Sequence, residues 1–281
     1  MELNPLLVKE LIHRCLLEDI GTGDITTNSL VPEGAVTTGI IYTKEAGIIA
    51  GMTVAQEVFK QWDPSISFEA KVKDGDKVEP RTVLAEVRGS ARTILTAERL
   101  ALNFLQRLSA IATKTAQLVE LISMYPARIV DTRKTTPGLR FLEKYAVRVG
   151  GGHNHRFGLY DAVLIKDNHI KIAGGITQAI NLARKNNPHT VKIEVEVEDL
   201  AGLEEALSAN PDIIMLDNME PSLMREAVEM VNGRAIIEAS GGISEEDVVM
   251  VAKSGVDLIS IGSLTHSVKA LDISLDVEEI K

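Results

Sequence analysis

From Tyr125-Pro126 onward the chain alternates short apolar runs with helical patterns, almost to residue 265. The apolar runs fall at 127–131, 162–166, 191–197, 213–217, 235–239 and 258–261, with helical patterns over 174–185, 199–209, 220–231 and 244–254. Each strand–helix unit takes roughly 20–30 residues, the length of a βα repeat, and such crossovers make neighbouring strands parallel. The strands are apolar at nearly every position, as expected when both faces of a sheet are covered. Few architectures meet that constraint. Polar residues or glycine stand at or just past the strand ends: Asp131, Lys166, Glu196, Asp217, Ser240 and Gly262. That is the pattern of a TIM-type α/β barrel with its chemistry on the C-terminal rim. The chain has room for six or seven such units, so the barrel is expected to be incomplete.

The preceding part reads differently. Residues 4–20 place Leu7, Leu11 and Cys15 on one helical side, and EDIGTGDITT follows, with Gly21 and Gly23 marking a turn that Asp24 or Thr26 caps. Short strands are expected at 40–42, 47–51, 68–72 and 83–87, with a helix over 54–62. The stretch KDGDKVEPRTVLAEVRG has the rhythm of a biotinyl-type β-domain, but no lysine stands at a convincing hairpin tip. A long helix is expected over 93–119, with Leu95, Leu100, Phe104, Leu108 and Ile111 on one face. Thr96 is its candidate N-cap, and Arg99 and Arg107 read most simply as exposed, salt-bridging arginines.

Charge narrows the function. The chain carries a formal −10, which argues against nucleic acid or an anionic membrane as partner. No run of about 18 apolar residues is present. The N-terminus is acidic and amphipathic, unlike a signal peptide, and the single Cys15 has no internal disulfide partner. A cytoplasmic location is the expectation. Within this acidic chain, 133–166 holds seven Lys or Arg against Glu143 and Asp161, a local +5. Such an island repels itself unless something anionic neutralises it. Arg133-Lys134 and Lys166 each sit just past a strand end, so a polyanionic small molecule is the expected ligand.

Other residues fit that ligand. The SGGI and IGS loops, at 240–243 and 261–263, follow the last two strands, where barrels commonly bind phosphate on backbone N–H groups. Glu194 and Glu196 share one strand face, and Asp217 ends the next strand. Carboxylates there can hold a divalent ion or sugar hydroxyls, or simply pair with Lys134 and Lys166. His153 and His155 lack a third nearby metal ligand and read as part of an anion-binding loop. No Ser–His–Asp or Cys–His arrangement and no GxxxxGK[ST] loop is evident.

Together EDIGTGDITT, AERLALNFLQRLSAIAT, DTRKTTPGLR, GGGHNHRFGLYDAVLIKDNH, EVEVE, IMLDNM, EASGGI and IGSLTHS resemble, in order, the quinolinate phosphoribosyltransferases. Ala110 departs from the glycine more usual in that family. The resemblance implies an N-terminal α/β sandwich over 1–112, with the tail 266–281 packed back on it, joined to an incomplete TIM-like α/β barrel over 113–265. It implies transfer of phosphoribose from 5-phosphoribosyl 1-pyrophosphate to quinolinate, with Mg2+ as cofactor and loss of CO2. It implies a homodimer in which Arg99 is contributed in trans, with assembly to a hexamer left open. Arg99, Arg133 and Arg156 are then assigned to quinolinate, with His155 nearby, and Lys134 and Lys166 to the pyrophosphorylated sugar; Thr132 and Ile261 are counted among the substrate-binding residues. Glu196 and Asp217 take the ribose and metal. Ser240, Gly241, Gly242, Gly262 and Ser263 take the 5′-phosphate. Lys134, Lys166, Glu196 and Asp217 are the catalytic set. A nicotinate-specific transferase, a molybdenum-transport-associated pyrophosphorylase and a non-catalytic phosphosugar-binding protein are the competing readings.

Overall fold

The computed structural model describes residues 2–278. In chain order the elements are α1 (Pro5–Ile20), α2 (Ile25–Leu30), β1 (Val36–Thr43), β2 (Gly47–Ile48), α3 (Met52–Trp62), β3 (Ser67–Ala70), β4 (Lys77–Val78), β5 (Val83–Ser90) and α4 (Ala91–Leu121). They continue with β6 (Arg128–Val130), α5 (Arg140–Val149), β7 (Val163–Ile165), α6 (Asp167–Ala173), α7 (Ile176–Asn186), β8 (Ile193–Val197) and α8 (Leu200–Ser208). The last are β9 (Ile213–Asp217), α9 (Pro221–Val231), β10 (Ile236–Ser240), α10 (Val248–Lys253), β11 (Leu258–Ser260), α11 (Ser263–His266) and β12 (Ile273–Val277).

The chain divides into two compact units. The first comprises 1–116, 136–151 and 267–281, and the second 117–135 and 152–266. The division drawn from sequence at 112/113 runs on continuously to 265, whereas residues 136–151, with α5, belong to the first unit. The cause is local to that unit. Glu143 on α5 is fully buried, and it accepts from Arg107 Nη2 of α4 at 2.7 Å and from the Thr136 amide at 3.0 Å. A buried carboxylate must be paired in this way. Arg107 is therefore salt-bridging as expected, but half-buried against an internal carboxylate instead of exposed. At the end of α5, a Cβ on Gly150 would lie 2.4 Å from the Ala112 carbonyl oxygen, so close backbone approach requires glycine there.

In the first unit an antiparallel sheet runs β12-β1-β5-β3. β1 alternates buried and half-exposed positions, and Ile41 sits opposite Ala85 of β5 in the core. β12 hydrogen-bonds along β1, with Leu275 opposite Ile41. Asn4 caps α1 and Asp24 caps α2 through the Thr27 amide. The 31-residue α4 begins at Ala91, so Thr96 lies within it and caps nothing. Its hydroxyl donates instead to Asp24 Oδ2 at 3.1 Å. The strand expected over 47–51 pairs only at Gly47 and Ile48, because the Ile49 amide bonds Asp76 O outside the ladder.

In the second unit six parallel strands run β6-β11-β10-β9-β8-β7. This is the cyclic order of a βα barrel opened between β6 and β7, and on the open side His153 forms a single parallel bridge to Val130. β8 is buried at every position but Glu196, and Pro221 and the Asp199 side chain start α9 and α8. Among the described residues no helix is long and apolar enough to cross a membrane.

Candidate active site

Strand register decides which side chains share a face, because neighbours in a parallel ladder point the same way. Glu194 lies opposite Leu164 and Ile213, and Glu196 opposite Met215. Met215 lies opposite Glu238, Asp217 opposite Ser240, and Ser260 opposite Val130. With two-residue alternation, Lys166, Glu196, Asp217, Glu238, Ser240, Ser260 and Thr132 fall on one face. That face encloses a cavity of roughly 500 Å³ lined by these seven residues with Arg133, Lys134, His155, Arg156, Leu164, Met215, Asn218, Gly241 and Gly242.

Two guanidiniums dominate one side. Arg133 and Arg156 are half-buried, and the Nε of each is buried without a hydrogen-bond partner. Arg156 donates through Nη1 to Ala162 O at 3.1 Å. Burial, and then the nearby charge of Arg133, pull the Arg156 value below the ordinary guanidinium range, against the opposing pull of Glu194, Asp161 and Glu196. Buried unpaired donors on adjacent like charges are costly, and a ligand with two carboxylates relieves both costs at once.

The loop carrying Arg156 is tied down from β6. Asp131, fully buried at the strand end, accepts from the His155 amide at 2.9 Å and from Asn154 Nδ2 at 2.6 Å. His155 Nδ1 accepts from the Arg156 amide at 2.7 Å, and its Nε2 lies 3.0 Å from Glu194 Oε2 and 3.5 Å from Glu238 Oε1. His155 Nε2, Glu194 and Glu238 thus form a buried triplet. Burial, then the charge of Glu194, push the Glu238 carboxyl well above the ordinary carboxylate range.

Acids and a lysine occupy the rim. Lys166 Nζ meets Glu196 Oε1 at 2.5 Å, and Asn218 Nδ2 donates to Asp217 Oδ2 at 2.9 Å. Burial raises the Glu196 value, Lys166 lowers it, and Asp217 and Glu194 raise it further. Carboxylate oxygens on neighbouring strands are the hard donors that a divalent cation would take. The donor set at Glu196 and Asp217 therefore fits Mg2+.

The glycine loop closes the far side. Gly241 has φ +100°, and a Cβ there would lie 2.3 Å from Asn218 Oδ1 and 2.6 Å from Asn218 N. Only glycine permits that approach.

Of the residues named from sequence, Thr132, Arg133, Lys134, His155, Arg156, Lys166, Glu196, Asp217, Ser240, Gly241 and Gly242 line this cavity. Gly262 and Ser263 do not line it, although a Cβ on Gly262 would lie 3.1 Å from Lys134 Cδ. Ile261 is buried and its amide donates to Val130 O at 3.0 Å, so that amide cannot serve a phosphate. Arg99 is exposed on α4 and is not among the lining residues. Glu238 and Asn218 were not singled out from sequence. An acid two residues before Ser240, in the apolar run IIEAS, is the signal that could have found Glu238.

Comparison with known proteins gives a consistent result. The family model described as quinolinate phosphoribosyl transferase, C-terminal domain, matches residues 111–276, and its N-terminal domain counterpart matches 24–109. A Bacillus subtilis protein named probable nicotinate-nucleotide pyrophosphorylase [carboxylating] is 47% identical over 275 residues, 98% of this chain and 95% of that one. Quinolinate phosphoribosyltransferase [decarboxylating] 1b of Nicotiana tabacum is 42% identical over 290 residues, 96% of this chain and 82% of that one. The solved nicotinate-nucleotide pyrophosphorylase of Francisella tularensis superposes with TM-score 0.94 at 45% identity, covering 99% and 98% of the two chains.

Proposed function

The chain belongs to the quinolinate phosphoribosyltransferase family, and we propose from this membership and the cavity's chemistry how its residues carry out the reaction. It is an enzyme of NAD biosynthesis that transfers phosphoribose from 5-phosphoribosyl 1-pyrophosphate to quinolinate, yielding nicotinate mononucleotide, diphosphate and CO2. The observation that carries the reading is the pair Arg133 and Arg156, with adjacent charges and buried, unpartnered Nε donors. A planar dicarboxylate answers both; a monocarboxylate leaves one guanidinium unmatched.

Arg133 and Arg156 clamp the two carboxylates and, with Thr132 and His155, fix the pyridine ring. Ser240, Gly241 and Gly242 hold the 5′-phosphate, with Gly262 and Ser263 beyond them. Lys134 and Lys166 face the diphosphate and stabilise it as it leaves. The pyridine nitrogen bonds to the anomeric carbon while the carbon–oxygen bond to diphosphate breaks. Glu196 and Asp217 hold the ribose hydroxyls and offset the positive charge that grows on the sugar. The resulting pyridinium accepts the electron pair left when the 2-carboxylate departs as CO2, and a proton then fills that carbon. Glu196 and Asp217 would also hold Mg2+, which supplies charge neutralisation of the diphosphate when bound.

Arg99, exposed on α4, is available to a second copy of the chain. We assign it to the quinolinate carboxylates of a partner subunit in a homodimer. The single cysteine fits a cytoplasmic enzyme. The test is a CO2-release assay with 5-phosphoribosyl 1-pyrophosphate and Mg2+, in which quinolinate supports turnover and nicotinate does not. CO2-independent diphosphate release with nicotinate at equal efficiency would overturn the reading.

A further inference from the structure

Beneath the cavity His155 stands against Glu194 and Glu238, two carboxyls with no part in the steps above. Both ring nitrogens of His155 are committed. Nδ1 accepts the Arg156 amide proton at 2.7 Å, so the ring's own proton lies on Nε2. Nε2 points at Glu194, at 3.0 Å from Oε2 and 3.3 Å from Oε1, and more distantly at Glu238. Both carboxyls are buried and His155 is nearly so, while its backbone is pinned by Asp131. His155 lines the cavity with neither nitrogen available, so what it presents there is ring carbon.

The three side chains bring ligand atoms within 4.8 Å of one another, close enough for a metal ion. A protonated Nε2 offers no lone pair, and moving its proton to Nδ1 would give up the Arg156 hydrogen bond. The geometry thus favours a proton over a cation. One ring proton cannot satisfy two carboxylates. The upward push on Glu238 from burial and from Glu194 agrees with a carboxyl that keeps its own proton.

We propose that Glu194 and Glu238 are positioning residues that clamp His155 as the neutral Nε2–H tautomer, turning its ring carbon toward the flat pyridine substrate. The substrate clause rests on the quinolinate reading; the clamp itself does not. His155 then adds shape to the site and no charge. Carboxylate recognition is left to the guanidiniums, and Glu194 also lends its charge to Arg156. A charged imidazole would stand as a third cation near Arg133 and Arg156 and add to the repulsion between them.

The experiment is nitrogen-15 NMR of the full-length enzyme labelled at histidine, with the His155 signals identified by their loss in His155→Asn. Near neutral pH the wild type is expected to show a neutral ring protonated at Nε2. Glu194→Gln and Glu238→Leu, which removes the acceptor while filling the space, are each expected to perturb those signals and to lower kcat/KM for quinolinate roughly 10- to 100-fold, the scale of a misplaced binding group. In both variants KM for the phosphoribosyl donor should stay within about twofold, which a general folding defect would not produce. A His155 imidazolium or an Nδ1–H ring in the wild type overturns the clamp, as do unchanged quinolinate kinetics in both variants. If a variant fails to fold, the wild-type spectrum still decides. If the wild type shows this ring state but does not turn over quinolinate, the functional reading falls and the clamp stands.

Discussion

Replacing Arg156 by Met separates two effects of opposite sign. In the free protein its guanidinium is half-buried next to Arg133, and removing the charge relieves that repulsion. The same change deletes the hydrogen bond to Ala162 O at 3.1 Å, which is worth about 1 kcal/mol net. Methionine keeps the apolar stem, so little packing is lost. These terms are of similar size, and the unfolding free energy is expected to move by no more than about 1 kcal/mol, or roughly 2–4 °C in Tm. Binding moves much further. A charge-assisted hydrogen bond contributes about 1.5–3 kcal/mol, and losing a two-pronged clamp is expected to cost about 3–4 kcal/mol. At about 1.4 kcal/mol per decade that lowers kcat/KM for quinolinate roughly 10²- to 10³-fold. The assays are ligand-free thermal unfolding and initial rates of CO2 release. The reasoning fails if Arg156→Met lowers Tm by roughly 10 °C, since the residue would then be structural. It fails equally if quinolinate kinetics stay within about threefold of wild type.

Gly241→Val forces a Cβ to within 2.3 Å of Asn218 Oδ1 at φ +100°. Strain of about 1–2 kcal/mol and a displaced loop should raise KM for the phosphoribosyl donor roughly 10- to 100-fold, read by donor titration. Arg107→Met leaves Glu143 buried without its cation and should cost about 3–5 kcal/mol in denaturant unfolding, and adding Glu143→Leu should restore part of it. Arg99→Ala and Lys134→Ala are each expected to be inactive alone. Refolded together they should regain activity that neither has, and no gain on mixing would remove Arg99 from a shared site.

Much of the site is legible in the amino-acid sequence. Arg133, Lys134, Lys166, Glu196 and Asp217 announce themselves by position, because a charged residue just past an apolar run has few places to go except a rim. The glycine pair at 241–242 is legible for a similar reason. Residues whose role depends on contacts distant in sequence are not. Arg107 reads as a surface arginine until α5 brings Glu143 against it, 36 residues away. Thr96 matches a capping pattern, yet the helix begins five residues earlier and the hydroxyl serves Asp24, 72 residues back.

What the amino-acid order settles here is local and periodic: the βα alternation, the strand ends, and the charge gathered in one stretch of an acidic chain. Those properties depend on neighbours within a few residues, so they survive without knowing the fold. Lateral register across the parallel sheet is another matter. Glu238 joins Glu194 and His155 because three separate segments meet at the base of one cavity, and Ile261 drops out because β6 takes its amide. Such pairings depend on which strand lies beside which, a free-energy balance over the whole packed sheet that no short window of residues contains.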